Sequence, residues 1–217
     1  MHTPCLSPGK TRRIFDPHPA HLLITKYANN HLFVQCSSDF KTNEKKIMKE
    51  LDQLQSTAGR SSSKGGDLGG AMDGTGGGSS MADQVVKEVE EAGGTAVSNY
   101  DSVATPEGGE SIIQTALDQC GQVDIVINNA GILRDKSFVK LSPEEPESVI
   151  DVRLQGAFYV SQPAFRAMKE RGYGRFIHTS SAAGLFGNFG QSNYGAAKMG
   201  LVGLSNVLAV EGAKNNI

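Results

Sequence analysis

Apolar positions in the second half of this 217-residue chain alternate between short continuous runs and stretches with helical spacing. Val123, Ile125, Val126 and Ile127 form a β-branched run, the pattern of a strand buried on both faces. Arg175 to Thr179 and Thr95 to Tyr100 read as two further strands. Between them lie helical periods. Ser80, with Asp83 three residues on, is placed to cap a helix carrying Val85, Val86 and Val89, which Gly93-Gly94 stops. Glu110 to Cys120 predicts a helix with Ile112, Ile113, Ala116 and Leu117 inward and Gly121 closing it. Pro143 to Arg171 is a long helical region with Leu154, Phe158, Phe165 and Met168 at helical intervals. Pro146 is tolerable in its first turn, whereas Pro163 is expected to kink or break it. A last helix runs from Tyr194 through Val210. From about residue 79 onward this alternation predicts an α/β domain with a doubly wound parallel sheet.

The first part of the chain follows no such rhythm, and a boundary is placed between residues 1–64 and 65–217. Met1 to His21 has four prolines and no period, so it is expected to be mobile. Leu22 to Cys36 offers one strand or two, and Asn43 to Gln55 an amphipathic helix with Ile47, Leu51 and Leu54 on one side. Ser56 to Ser80 is so rich in Gly and Ser that a flexible loop is expected.

The formal charge of −2 gives no general field for nucleic acid or anionic membranes, so neither is expected as a partner. Cys5, Cys36 and Cys120 are odd in number and lack metal-ligand spacing, which suggests reduced thiols, no metal site and a cytoplasmic protein. No run reaches the length of a membrane span.

The chemistry concentrates near the end. Tyr194 and Lys198 are four residues apart and share a helix face. An ammonium beside a phenol favours the phenolate, fitting the tyrosine to exchange a proton with a substrate oxygen. Ser181 lies thirteen positions earlier, at the end of a predicted strand and across a Gly/Asn-rich loop that can return its hydroxyl to the phenol. The Val123 strand runs into Asn128-Asn129-Ala130-Gly131, whose small side chains permit close backbone approach by a ligand at the carboxyl edge of the sheet.

This Ser, Tyr and Lys spacing, with NNAG about sixty residues before the tyrosine, resembles the short-chain dehydrogenase/reductase family. Further stretches sharpen the likeness: DLGG at Asp67 to Gly70, NYDSV at Asn99 to Val103 and NNAGILRDKSF at Asn128 to Phe138. Others are GNFGQSNYGAAK at Gly187 to Lys198 and EGAKNNI at Glu211 to Ile217. Together they are most similar to the (3R)-hydroxyacyl-CoA dehydrogenases of multifunctional, peroxisomal-type β-oxidation enzymes.

The resemblance implies a Rossmann-like fold and NAD-dependent interconversion of a 3-hydroxyacyl and a 3-oxoacyl thioester. Ser181, Tyr194 and Lys198 would be catalytic, the last two also touching the cofactor. Asp67 would bind the adenosine ribose and favour NAD over NADP, and Asp101 and Ser102 would contact adenine. Asn128, Ala130 and Gly131 would line the cofactor cleft. It also implies a homodimer or tetramer for intact relatives, through the helices carrying Phe158 and Val207, and a peroxisomal address if the source is eukaryotic; in this chain the same faces predict aggregation or poor solubility.

Three departures accompany it. The family's TGxxxGxG turn and first βαβ unit are not recognisable, Arg153 stands where the family often has Asn, and the last strands and substrate-covering lobe are absent. Gly74 to Gly78 lies after the aspartate, in the wrong order for a phosphate loop, and is read as ordinary loop. The alternative is therefore an inactive dehydrogenase fragment acting as an oligomerising or binding module.

Overall fold

A computed structural model of the chain describes residues 21–25, 32–36, 80–91 and 93–217. Two strands come first, β1 (His21–Thr25) and β2 (Leu32–Cys36). Helix α1 (Ser80–Glu91) leads to β3 (Thr95–Asn99), and α2 (Pro106–Cys120) to β4 (Ile125–Asn128). Then follow α3 (Glu144–Ile150), a π-helical turn at Asp151–Gln155, and α4 (Gly156–Arg171). The chain continues through β5 (Arg175–His178), α5 (Ala182–Phe186) and α6 (Ser192–Gly212). The helix expected over Asn43 to Gln55 and the loop expected over Ser56 to Ser80 lie outside the described residues, Ser80 excepted.

The five strands form one sheet in the order β3-β2-β1-β4-β5. β1, β4 and β5 pair in parallel, Leu23 opposite Val126 and Val126 opposite Phe176. β2 is antiparallel to both β1 and β3, so β3 points the same way as β1. Four strands thus share one carboxyl edge, and β2 is the exception to the expected parallel sheet. The reason is chain length. Only six residues join β1 to β2, enough for a hairpin, whereas a parallel crossover needs a dozen or more.

Side-chain alternation along β4 feeds two cores. Val126 packs with Ile112, Ile113, Ala116, Val160, Ala164 and Met168 beneath α2 and α4. Ile125 and Ile127 face the other way, with Ala96, and meet Val85, Val86 and Val89 of α1. A strand covered by helices on both sides has no polar face, which is why its sequence reads as a continuous apolar run.

Helix α2 begins two residues after Ala104, where Thr105 accepts the Gly108 N–H at its side chain and Pro106 opens the first turn. It ends as expected at Gly121, whose φ of 74° is the left-handed conformation a C-cap needs. Asp83, expected to help cap α1, instead accepts a hydrogen bond from the Tyr100 hydroxyl.

Pro163 lies inside α4 without ending it, so of the two outcomes expected there it marks no break; the regular α-helical pattern changes instead at the π turn at 151–155. A further expectation is corrected. Cys120, read as a reduced thiol, is disulfide-bonded. Scattered cysteines carry no pairing information in sequence, and only the fold decides which come together.

Candidate active site

Three segments meet at the carboxyl edge of the parallel strands: the turn after β4, the turn after β5, and the first turns of α6. Ser181 is the N-cap of α5, extended in backbone, with its Oγ accepting the Ala183 N–H at 3.2 Å. α5 lies directly on α6. A Cβ at Gly184 would fall 3.0 Å from the Met199 nitrogen, and one at Gly195 would fall 3.0 Å from the Ala183 carbonyl. These two glycines set how closely the helices approach, and so hold the segment that begins at Ser181 against the turn of α6 that carries Tyr194.

Lys198 follows one turn later on the same face of α6. It is only 2% exposed, and its ammonium donates to the Thr179 carbonyl just beyond β5. Its Nζ lies 5.8 Å from the centroid of the Tyr194 ring. Ser180 ties the backbone here, its Oγ donating to the Lys198 carbonyl at 2.9 Å. Burial pushes the Lys198 amine down to about 7, and the positive field of Arg153 acts in the same direction.

β4 places Asn128 at the neighbouring strand end. Its Nδ2 donates to Ser161 Oγ at 2.9 Å, both groups being buried, and its carbonyl accepts the Thr179 N–H at 3.2 Å. A cleft opens here, lined by Val103, Asn128, Ala130, Val152, Arg153, Gly156 and Ala157. Gly131 adjoins it, and its missing side chain is filled: a Cβ there would lie 2.2 Å from Arg153 Nη1.

Asp101 and Ser102 sit at the end of β3, on the same edge. Asp101 accepts from Ser111 Oγ at 2.5 Å and donates its N–H to Asn99 Oδ1 at 2.8 Å. Ser102 Oγ accepts the Ala104 N–H at 3.2 Å. The residue after them, Val103, shares the cleft with Asn128 and Ala130. Asp67 lies outside the described residues.

Sequence reasoning left three contributors out of the site. Arg153 was noticed only as a departure, yet its guanidinium carbon stands 4.5 Å over the Tyr194 ring. Asn193 is buried, donates to the Arg134 carbonyl at 2.9 Å and accepts the Tyr194 N–H at 2.7 Å. Gln191 donates to Asp135 at 2.7 Å, while Lys136 N–H donates to the Gly190 carbonyl at 2.9 Å. Together they strap the segment after NNAG to the start of α6. Their only signal was membership of the GQSNY and NNAGILRDK stretches, because side-chain-to-backbone straps leave no period.

Residues 74–217 match the sequence pattern of the short chain dehydrogenases. The chain belongs to that family. It is 58% identical over 151 residues to a short-chain type dehydrogenase/reductase of Mycobacterium tuberculosis, covering 70% of this chain and 53% of that one. It is 55% identical over 151 residues to the mouse peroxisomal multifunctional enzyme type 2, covering 70% of this chain and 20% of the enzyme. Among solved structures, a short chain dehydrogenase from Mycobacterium avium matches with a TM-score of 0.61 and 41% identity, over 69% of this chain and 53% of that one. The full-length Drosophila melanogaster peroxisomal multifunctional enzyme type 2 gives a TM-score of 0.55 at 50% identity, over 63% and 23%. The chain therefore spans about half the length of its mycobacterial relatives and about a fifth of the animal ones. Among the described residues, no helix is long and apolar enough to cross a membrane.

Proposed function

We propose that the chain carries the catalytic edge of an NAD-dependent oxidoreductase acting on a secondary alcohol or ketone, most closely a 3-hydroxyacyl-CoA. One observation carries the reading: Tyr194 and buried Lys198 stand one turn apart on α6, in contact with the segment that begins at Ser181. In alcohol oxidation the Tyr194 oxygen takes the hydroxyl proton, while Ser181 donates a hydrogen bond to the same substrate oxygen and steadies its developing charge. Lys198 holds positive charge or a proton beside the phenol. NAD, held by Tyr194, Lys198 and Asn128, would supply the hydride acceptor for the carbinol carbon. The substrate class rests on the resemblance of the NNAGILRDKSF and GNFGQSNYGAAK stretches, and a peroxisomal location on the names of the multifunctional relatives.

The donors at the strand ends suit that cofactor at two places. Tyr194, Lys198 and Asn128 with the small Ala130 suit its nicotinamide ribose, and Asp101 and Ser102 suit adenine. Asp67 would select NAD over NADP by repelling a 2′-phosphate. The middle does not match. In dinucleotide sites the pyrophosphate sits on a helix N-terminus directly after the first strand. Here β1 is followed by its antiparallel neighbour β2. That hairpin favours a second reading, a dehydrogenase lineage kept as a binding or oligomerising module.

Titrating the whole chain with NADH and following its fluorescence separates the two. Saturable binding in the micromolar range, with turnover abolished by Tyr194→Phe while binding persists, supports the enzyme. Lack of saturable binding rejects it in favour of the module.

A further inference from the structure

Arg153 is a buried cation, 7% exposed. Its position is over-determined. The π turn at 151–155, closed by the Gly156 N–H reaching back to the Asp151 carbonyl, carries it. Such turns are uncommon inside helices and recur at functional sites. Nε donates to the Ile132 carbonyl at 2.7 Å, and the guanidinium fills the space left by Gly131. Its remaining face covers the Tyr194 ring, with 4.5 Å from Cζ to the centroid, within cation–π range. Lys198 approaches the same ring from its own turn of α6 at 5.8 Å. Two cations therefore share one phenol in a water-poor pocket, which is unfavourable unless one of them can become neutral.

We infer that Arg153 is a positioning residue for the Tyr194–Lys198 pair: its permanent charge supplies the fixed positive field at the tyrosine and leaves the lysine free to gain and lose a proton. Arginine suits the first task because a guanidinium stays protonated across the working range and has no acceptor. A primary amine suits the second, because burial and a like charge both favour its neutral form. The depression of Lys198 to about 7 agrees with this division. Other charged or titratable groups stand on the elements packed against α6. Glu144, Glu145 and Glu147 lie on α3, and Asp151 in the π turn. Arg166, Lys169, Glu170 and Arg171 lie on α4, Arg175 and His178 on β5, and Lys214 follows α6. Of all these, only Arg153 adds its field to the effect of burial on Lys198.

The inference rests on the catalytic reading of Tyr194 and Lys198, but its test needs neither cofactor nor turnover. The whole chain is labelled with ε-13C lysine, the Lys198 resonance is assigned with Lys198→Arg, and its shift is followed across pH. Arg153→Met keeps the stem and removes the charge. It should raise the Lys198 midpoint by about one pH unit, roughly a tenfold gain in proton affinity. Arg153→Gln also removes the charge but keeps a donor for the Ile132 carbonyl, so it should raise the midpoint as far as Arg153→Met does, which a role through that hydrogen bond would not give. Gly131→Ala pushes the guanidinium aside without deleting it, and should raise the midpoint in the same direction. A midpoint unmoved in Arg153→Met, or moved in Arg153→Met but not in Arg153→Gln, overturns the inference. If neither Arg153 variant folds, an unmoved midpoint in Gly131→Ala overturns it. Failure of NADH to bind would count against the oxidoreductase reading and leave this titration unchanged.

Discussion

The backbone carbonyl of Tyr159 lies against Gly109, so close that a Cβ on the glycine would stand 2.5 Å from the oxygen. Tyr159 is four residues before Pro163, so its carbonyl is the one the proline leaves without an intrahelical N–H partner. A glycine on α2 gives that oxygen a neighbour with no side chain to intrude. This makes room for the freed carbonyl as α4 continues through Pro163, where the sequence pattern predicts a kink or a break.

Gly109→Ala should therefore destabilise the protein. Replacing a helical glycine gains up to about 1 kcal/mol in propensity. Forcing two packed backbones apart costs about 1–3 kcal/mol and often more, so the clash wins, with a net loss of about 2 kcal/mol. Urea unfolding compares the two proteins. A variant as stable as the parent would mean that α2 and α4 do not meet at this point.

Ser161→Ala should cost about 1–3 kcal/mol, because it leaves the buried Asn128 amide without its 2.9 Å acceptor. Double replacement, Ser161→Ala with Asn128→Leu, should cost less than the sum of the two single changes, because no polar group is then stranded. Additive losses would show that the two side chains do not interact.

His178 makes acid stability predictable in sign. Both ring nitrogens are buried without a hydrogen-bond partner, and the ring stacks on Phe176 at 6.1 Å. Burial lowers its pKa from 6.5 to about 4. The unfolded chain therefore takes up a proton below about pH 6.5 that the folded chain refuses until about pH 4. This group's contribution is fully present above pH 6.5, declines as pH falls through that window and then levels off. His178→Leu should flatten the decline and, by removing unsatisfied nitrogens, raise stability at neutral pH by about 1–2 kcal/mol. Thermal melts across this range decide it; an unchanged slope in the variant would assign the acid sensitivity elsewhere.

How much of this was legible in sequence depended on what kind of force shaped each element. β4 and α2 were readable because burial against both cores imposes apolar runs and helical periods, as Val126, Ile112 and Ala116 show. The spacing from Ser181 to Lys198 was readable because it is local to two adjacent segments. The π turn was not, since no residue type marks the shift from i−4 to i−5 hydrogen bonding, and Arg153 was consequently kept out of the site. Tolerance of Pro163 was equally hidden, because it depends on Gly109, fifty-four residues away. His178 gave no warning either, because a strand residue's partner, or lack of one, is set wholly by neighbours remote in sequence.

Assembly gives the last test. Helices α4 and α6 expose apolar side chains that neither core needs: Phe158 at 48%, Val207 at 53% and Val210 at 78%. α6 is apolar on more than one face, with Leu201 and Leu204 buried against Ala157 while Met199, Val207 and Val210 stay in solvent. A helix of that kind usually has something on both sides. Covering it with the same face of a second copy satisfies both chains at once through a two-fold contact, and we expect a homodimer formed this way. Val207→Lys together with Val210→Lys would then place like charges across the axis and give a monomer, with the Tyr194 end of α6 undisturbed. Light scattering after size exclusion reads the outcome directly. A parent chain that runs as a monodisperse monomer, or a double-lysine variant that stays dimeric, would show that this face is not where two copies meet.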